Sequence, residues 1–226
     1  MFIPYKDDNP RILIPYVTWS ILAINVSVFI FQLVYNSGAE YPISSRFGTI
    51  PALITGYAQP LDLPFYVFTP LFTLITSMFL HGGIAHLLGN MLFLYVFADN
   101  IESILGHRKF LLFYLICGIV ATLSQVTTNT HSMIPIIGAS GAISGVMAAY
   151  LLKYPRARIH VLVVIFPIVI PAGIVVGFWF ITQLLNGIAD LDRTGGGVAW
   201  FAHIGGFLVG IILMVLITKS KYKWRT

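Results

Sequence analysis

Ser140 lies in the stretch Gly138-Ala139-Ser140-Gly141. A serine between small residues at the start of a helix exposes its hydroxyl and its own backbone N–H together. That combination suits a nucleophile with a built-in oxyanion site. The same residues have a packing reading, because Ser140, Gly141, Ser144 and Gly145 form two interleaved small-xxx-small pairs of the kind that bring membrane helices close. His203 sits in Ala202-His203-Ile204-Gly205-Gly206, and Gly206 with Gly210 makes a further GxxxG pair. A neutral imidazole beside a hydroxyl is the minimum apparatus for acyl transfer, first as base to the nucleophile and then as acid to the leaving amine. Its alternative is a buried histidine satisfied by a backbone carbonyl. His86 and Asn90 are four residues apart and share one helix face. Both can donate side-chain hydrogen bonds, which suits an oxyanion hole, and both would also serve as polar glue between helices. A metal site built from His81, His86 and His203 would lack any carboxylate or thiolate, and no HExxH occurs. No metal and no cofactor is therefore expected.

The elements that must position these groups are set by composition. The chain is 58% hydrophobic and 9% charged, against about 25% charged for an ordinary soluble domain. This excludes a soluble enzyme and defines a polytopic, multi-pass integral membrane protein in one all-α domain over residues 1–226. The single cysteine, Cys117, lies in an apolar run and excludes an intrachain disulfide. Six spans are expected, over residues 12–35, 74–97, 110–126, 139–152, 159–185 and 198–218. The fourth is short for a crossing of ~20 residues, so it should begin below the surface. The fifth contains Pro167 and Pro171, so a kink is expected. Residues 1–11 read as a polar tail, 36–74 as a Pro-, Gly- and aromatic-rich loop lying in the interface, 186–197 as a polar outer loop, and 219–226 as a basic tail.

Six spans place both termini on one side. Eleven of the thirteen Lys and Arg residues fall on that side, and only Arg46 and Arg193 on the other. The positive-inside rule then makes both termini cytoplasmic. The net charge of +5 is explained by topology, and no nucleic acid need be invoked. Spans two, four and six all enter from the outer face, with His86 about halfway into span two. Ser140 and His203 lie near the starts of spans four and six. All can meet in the outer half of the bilayer, where ionisable residues face a cavity or one another. Glu102 and Gly106 lie at the other end of span two and read as tying down the following loop. Asp190 and Asp192 lie in the outer loop, so no carboxylate completes a triad and a dyad is expected.

Taken together, the six spans, His86-x-x-x-Asn90, Gly138-Ala139-Ser140-Gly141 and Ala202-His203-x-x-Gly206 resemble the rhomboid family of intramembrane serine proteases, and Glu102-x-x-x-Gly106 fits as well. The resemblance implies a rhomboid-like six-transmembrane-helix bundle. It implies Ser140 as nucleophile and His203 as general base, with His86, Asn90 and the Ser140 backbone N–H binding the oxyanion. It also implies that residues 36–74 form a membrane-embedded first loop, and that span five with residues 186–197 gates substrate admission. Two positions depart from some bacterial members. Ser144 stands where a tyrosine packs on the histidine, leaving open what orients His203. The tryptophan-arginine pair of the first loop is missing, with Phe65 and Tyr66 nearby instead.

The function implied is an intramembrane serine endopeptidase. It would cut single-span or polytopic membrane proteins in or near a transmembrane segment, through an acyl-enzyme, with the lipid bilayer as its other partner. The alternative is a non-catalytic rhomboid-like membrane chaperone or adaptor that binds transmembrane helices. A small-solute transporter is disfavoured, because no internal repeat or paired broken helices occur. A short chain with no evident signal peptide or presequence is expected in a prokaryotic cell (inner) membrane. No feature of the sequence sets an oligomeric state.

Overall fold

The computed structural model describes residues 2–60, 63, 69–191 and 197–222. A strand β1 (Phe2–Asp7) is followed by α1 (Tyr16–Asn36), then by the short helices α2 (Ile43–Phe47) and α3 (Pro51–Ile54). A broken run of 3-10 and α turns, containing α4 (Thr73–Thr76), leads into α5 (Ile84–Leu105), α6 (His107–Val126) and α7 (Ser140–Lys153). A hairpin of β2 (Arg158–Val163) and β3 (Phe166–Pro171) precedes α8 (Ala172–Ala189) and α9 (Trp200–Tyr222). The three strands form one antiparallel sheet in the order β1-β2-β3.

Among the described residues, five helices, α1, α5, α6, α8 and α9, are long and apolar enough to cross a membrane. Together with α7 they make a mostly helical, polytopic membrane bundle. At 14 residues, α7 is only about 21 Å long, and it forms the core. Every residue from Gly141 to Tyr150 is buried, so the helix is enclosed by protein on all sides. Its glycines explain how. A Cβ on Gly206 or Gly210 of α9 would collide with the backbone carbonyls of Gly141 and Gly145, and one on Gly141 would collide with Ala121 of α6. In lipid, where no hydrophobic force drives helices together, such close backbone approach supplies the packing.

Two helices are started by side chains from elsewhere in the bundle. Pro15 precedes α1 and offers no side-chain cap. The fully buried Glu102 of α5 supplies the cap instead, accepting from Val17 N–H at 3.0 Å, Thr18 N–H at 2.8 Å and Thr18 Oγ1 at 2.6 Å. These are the N2 and N3 donors that a local cap would satisfy, and a carboxylate there also suits the helix dipole. Glu102 further pairs with His107 Nδ1 at 2.6 Å. It thus anchors α1 as well as the α5–α6 junction, a wider role than loop-tying. Gln125 of α6 does the same for α9, its Oε1 accepting from Phe201 N–H at 3.1 Å and Ala202 N–H at 3.2 Å.

The structure departs from the expected spans in two places. Residues 159–171 are a β-hairpin, and the helix of the expected fifth span begins only at Ala172, with Pro171 as its N-cap. Pro167 and Pro171 therefore do not kink a helix. The β-branched run through residues 159–169 pairs as strands, and the supposed polar tail supplies the third strand. The second helix begins at Ile84, after Gly82-Gly83, and runs on to Leu105. His81 thus precedes it, and His86 lies in its first turn rather than halfway along. The helix passes through Asp99 and Asn100 because both are satisfied there, Asp99 by Arg11 Nε at 2.7 Å and Asn100 by Asp99 and Asp7. In the first loop, residues 36–60 fold as short helices and turns. Phe65 and Tyr66, residues 192–196 of the outer loop and 223–226 of the basic tail lie outside the described residues.

Candidate active site

Ser140 is the first residue of α7, so its N–H has no intrahelical acceptor. Its hydroxyl lies 2.8 Å from Nε2 of His203, which is buried one turn into α9. The tautomer of His203 follows from its other nitrogen. Nδ1 is 2.8 Å from Oε1 of Gln183, on α8. Gln183 Nε2 donates to the carbonyl of Trp179 at 2.9 Å and to Thr182 Oγ1 at 3.0 Å. A carbonyl can only accept, so the amide nitrogen must face Trp179 and the amide oxygen must face the imidazole. His203 Nδ1 therefore carries the proton and donates it to Gln183. Nε2 is left to accept from Ser140.

The ring is also held sterically. Trp179 packs against it with centroids 5.7 Å apart, and Trp200 meets it edge-on at 6.2 Å. Ser144 does not touch the ring; its hydroxyl donates to the backbone carbonyl of His203 at 2.8 Å. What orients His203 is thus Gln183 and Trp179, both on α8. Neither was found from the sequence, where a glutamine and a tryptophan in an apolar span give no signal that separates them from packing.

His86 stands across from the serine. Its Nδ1 accepts from Gly82 N–H at 3.2 Å, so in the neutral ring the proton is on Nε2. That nitrogen faces Gly138, where a Cβ would lie 2.9 Å from it and 3.7 Å from Ser140 Oγ. Gly138 also has φ +123°, a conformation that other residues rarely adopt. It is fixed there by its N–H to Ser77 carbonyl bond of 2.9 Å. One turn along from His86, Asn90 is buried, and its Nδ2 has no partner among the described residues. A buried donor with no partner is costly, and this one lines the same cavity as Ser140. The structure thus brings together all four residues singled out by sequence. They line a cavity of about 1050 Å³ that also meets Trp179 and Trp200. His81 is fully buried beside His86, with ring centroids 5.1 Å apart.

A family model described as the Rhomboid domain matches residues 69–220. The chain belongs to the rhomboid family. It is 32% identical over 146 residues to presenilin-associated rhomboid-like protein A, mitochondrial, of Danio rerio, a match covering 61% of this chain and 35% of that protein. It is 29% identical over 157 residues to Rhomboid protein 1, mitochondrial, of Saccharomyces cerevisiae, covering 68% and 44%. A shorter match, 40% identical over 78 residues, covers 34% of this chain and 39% of YdcA of Bacillus subtilis, whose name assigns it provisionally to the rhomboid proteases. The matches thus span less than half the length of each of these relatives. They overturn the expected prokaryotic cell membrane: the broader matches are to mitochondrial proteins, and the bacterial one covers only a third of the chain.

Proposed function

We propose that the chain is an intramembrane serine endopeptidase acting through a Ser140–His203 dyad on other membrane proteins. The observation that carries this reading is the 2.8 Å contact from Ser140 Oγ to the unprotonated Nε2 of His203, with Nδ1 committed to Gln183. His203 takes the hydroxyl proton as Oγ attacks the scissile carbonyl carbon. The oxyanion that forms is met by His86 Nε2–H, Asn90 Nδ2 and the Ser140 backbone N–H. The imidazolium then gives its proton to the leaving amine as the C–N bond breaks, leaving an ester on Ser140. Water deprotonated by His203 attacks that ester, the carboxylic acid leaves, and the serine regains its proton. Gln183 acts through His203 as a positioning residue, holding the tautomer that each step requires.

A peptide bond within a helix is shielded and water is scarce in lipid. The polar cavity supplies both water and hydrogen-bond partners for an unwound segment. Substrates are therefore expected to carry small or helix-breaking residues near the cut. We place α7 as a sixth span, with both termini on the side of the basic loops and the cavity on the other. The mitochondrial relatives support a mitochondrial membrane for the chain.

The test is labelling of the purified protein by a fluorophosphonate, together with cleavage of membrane-anchored reporter substrates. Wild type is expected to be labelled and active, and Ser140→Ala to be neither while remaining folded. Normal turnover by Ser140→Ala would overturn the serine-protease reading. A folded wild type that is inert to both assays would favour a helix-binding, non-catalytic protein.

A further inference from the structure

The hairpin 158–171 carries apolar surface that the bundle does not use. Ile159 and Val161 point one face of β2 into the core and are fully buried. The rest breaks the alternation expected of a half-buried sheet. Val164, Ile165, Phe166 and Val169 are 64%, 73%, 67% and 52% exposed, and no charge occurs from residue 161 to residue 171. Among the described residues β3 is an outer strand. In water such an edge would invite aggregation.

The turn makes the apolarity more pointed. Val163 pairs with Phe166, so the loop is the two residues Val164 and Ile165. Val164 has φ +58°, at the first central position of a turn that glycine normally fills. A β-branched residue there is a conformational outlier. The tip thus keeps a large apolar side chain at Val164, where backbone geometry favours glycine, and a second beside it at Ile165.

We propose that this hairpin lies in the interfacial layer of the lipid bilayer as a monotopic anchor beside the spanning bundle. Three observations select lipid as the occupant. The hairpin leads directly into α8, whose exposed Ile174, Ile181, Leu185 and Ile188 form one apolar stripe along the helix. Arg156 and Arg158, both exposed at the base of the hairpin, are placed to meet lipid phosphates. Pro167 and Pro171 remove backbone donors that a further strand would need, which disfavours edge pairing with a second copy. α8 is 18 residues long, about 27 Å, and so spans most of the hydrocarbon layer by itself. The hairpin at its N-terminus therefore sits at interface depth. An open sheet edge is tolerated there because water and headgroups still reach it, as they do not in the hydrocarbon core.

The test uses the full chain with a single added cysteine, Ile165→Cys or Phe166→Cys, the buried Cys117 staying unlabelled. Each variant carries a nitroxide and is reconstituted into vesicles of phosphatidylcholine, with or without phosphatidylglycerol. Collision rates with oxygen, which partitions into lipid, and with a water-soluble nickel chelate are measured. Thr130→Cys serves as the aqueous reference and Ile181→Cys as the lipid-facing one. The oxygen-to-nickel ratio at residues 165 and 166 is expected to be several-fold above that at 130 and below that at 181, which lies mid-way along α8. A ratio equal to that at 130 places the tip in water and overturns the proposal. Loss of access to both probes means that protein covers the hairpin, and overturns it as well.

Discussion

Gln183 Oε1 accepts the Nδ1 proton of His203 at 2.8 Å, and Gln183 is itself oriented by the hydrogen bond that its Nε2 donates to the Trp179 carbonyl. The position that a carboxylate holds in a Ser-His-Asp arrangement is thus filled by a neutral amide. It fixes the tautomer without adding charge to a buried site.

Gln183→Leu removes the acceptor while keeping an apolar side chain in α8. General-base catalysis contributes about 10²–10⁴ in rate, and we expect loss of orientation to lower kcat by about tenfold or more with KM little changed. Gln183→Glu keeps an acceptor in place and should retain most of the activity. If Gln183 only packs, the two variants should fall together with thermal stability and leave kcat per folded molecule intact.

Ser140 and His203 should behave as one unit. Ser140→Ala and His203→Ala are each expected to lower turnover by at least about 10³-fold, with the double variant hardly worse than either single. Multiplicative losses in the double variant would mean that the two residues act independently.

Asn90 separates catalysis from packing. Its Nδ2 is a buried donor without a partner among the described residues, as expected if its acceptor is the charge that develops during reaction. Losing an oxyanion donor costs about 10²–10³ in kcat. With two other donors remaining, Asn90→Ala is expected near the lower end of that range. Fluorophosphonate labelling should stay detectable. Were Asn90 interhelical glue, stability would instead fall by roughly 0.6–2 kcal/mol with kcat unchanged.

Orientation can be read with two added cysteines. Thr130 lies in the turn after α6 and Arg156 between α7 and β2, so the two should be labelled from opposite faces of sealed vesicles of known orientation. Labelling of both from one face would remove α7 as a span.

The four residues of the candidate site stand out in the sequence because each is a costly type for its depth. A histidine, a serine between small residues and an asparagine in apolar runs each demand a partner or a cavity, and their order along three spans says which can meet. Gln183 was not legible. Its partner is set by how α8 packs on α9 across an intervening loop, which no spacing encodes. The hairpin was missed because an uninterrupted apolar run has no period that separates strand from helix. The usable signals were Pro167, Pro171 and the crowding of β-branched residues between them and Arg158. The start of α5 was misplaced because the apolar residues before it continue the pattern. Gly82-Gly83 marked the boundary.

The pairing of β1 with β2 joins Phe2 to Val163, and the same end of the bundle is tied by the 2.6 Å bond from Tyr150 to Asp7. During synthesis the first strand emerges long before its partner. Residues 2–7 must remain unpaired while α1 to α7 are made, and their sheet can close only after α7 has left the ribosome. The hairpin partner of β1 is complete before α8 and α9 exist. The two ends of the stretch from β1 to β2 can therefore be joined before the helices that carry Gln183 and His203 are added to it.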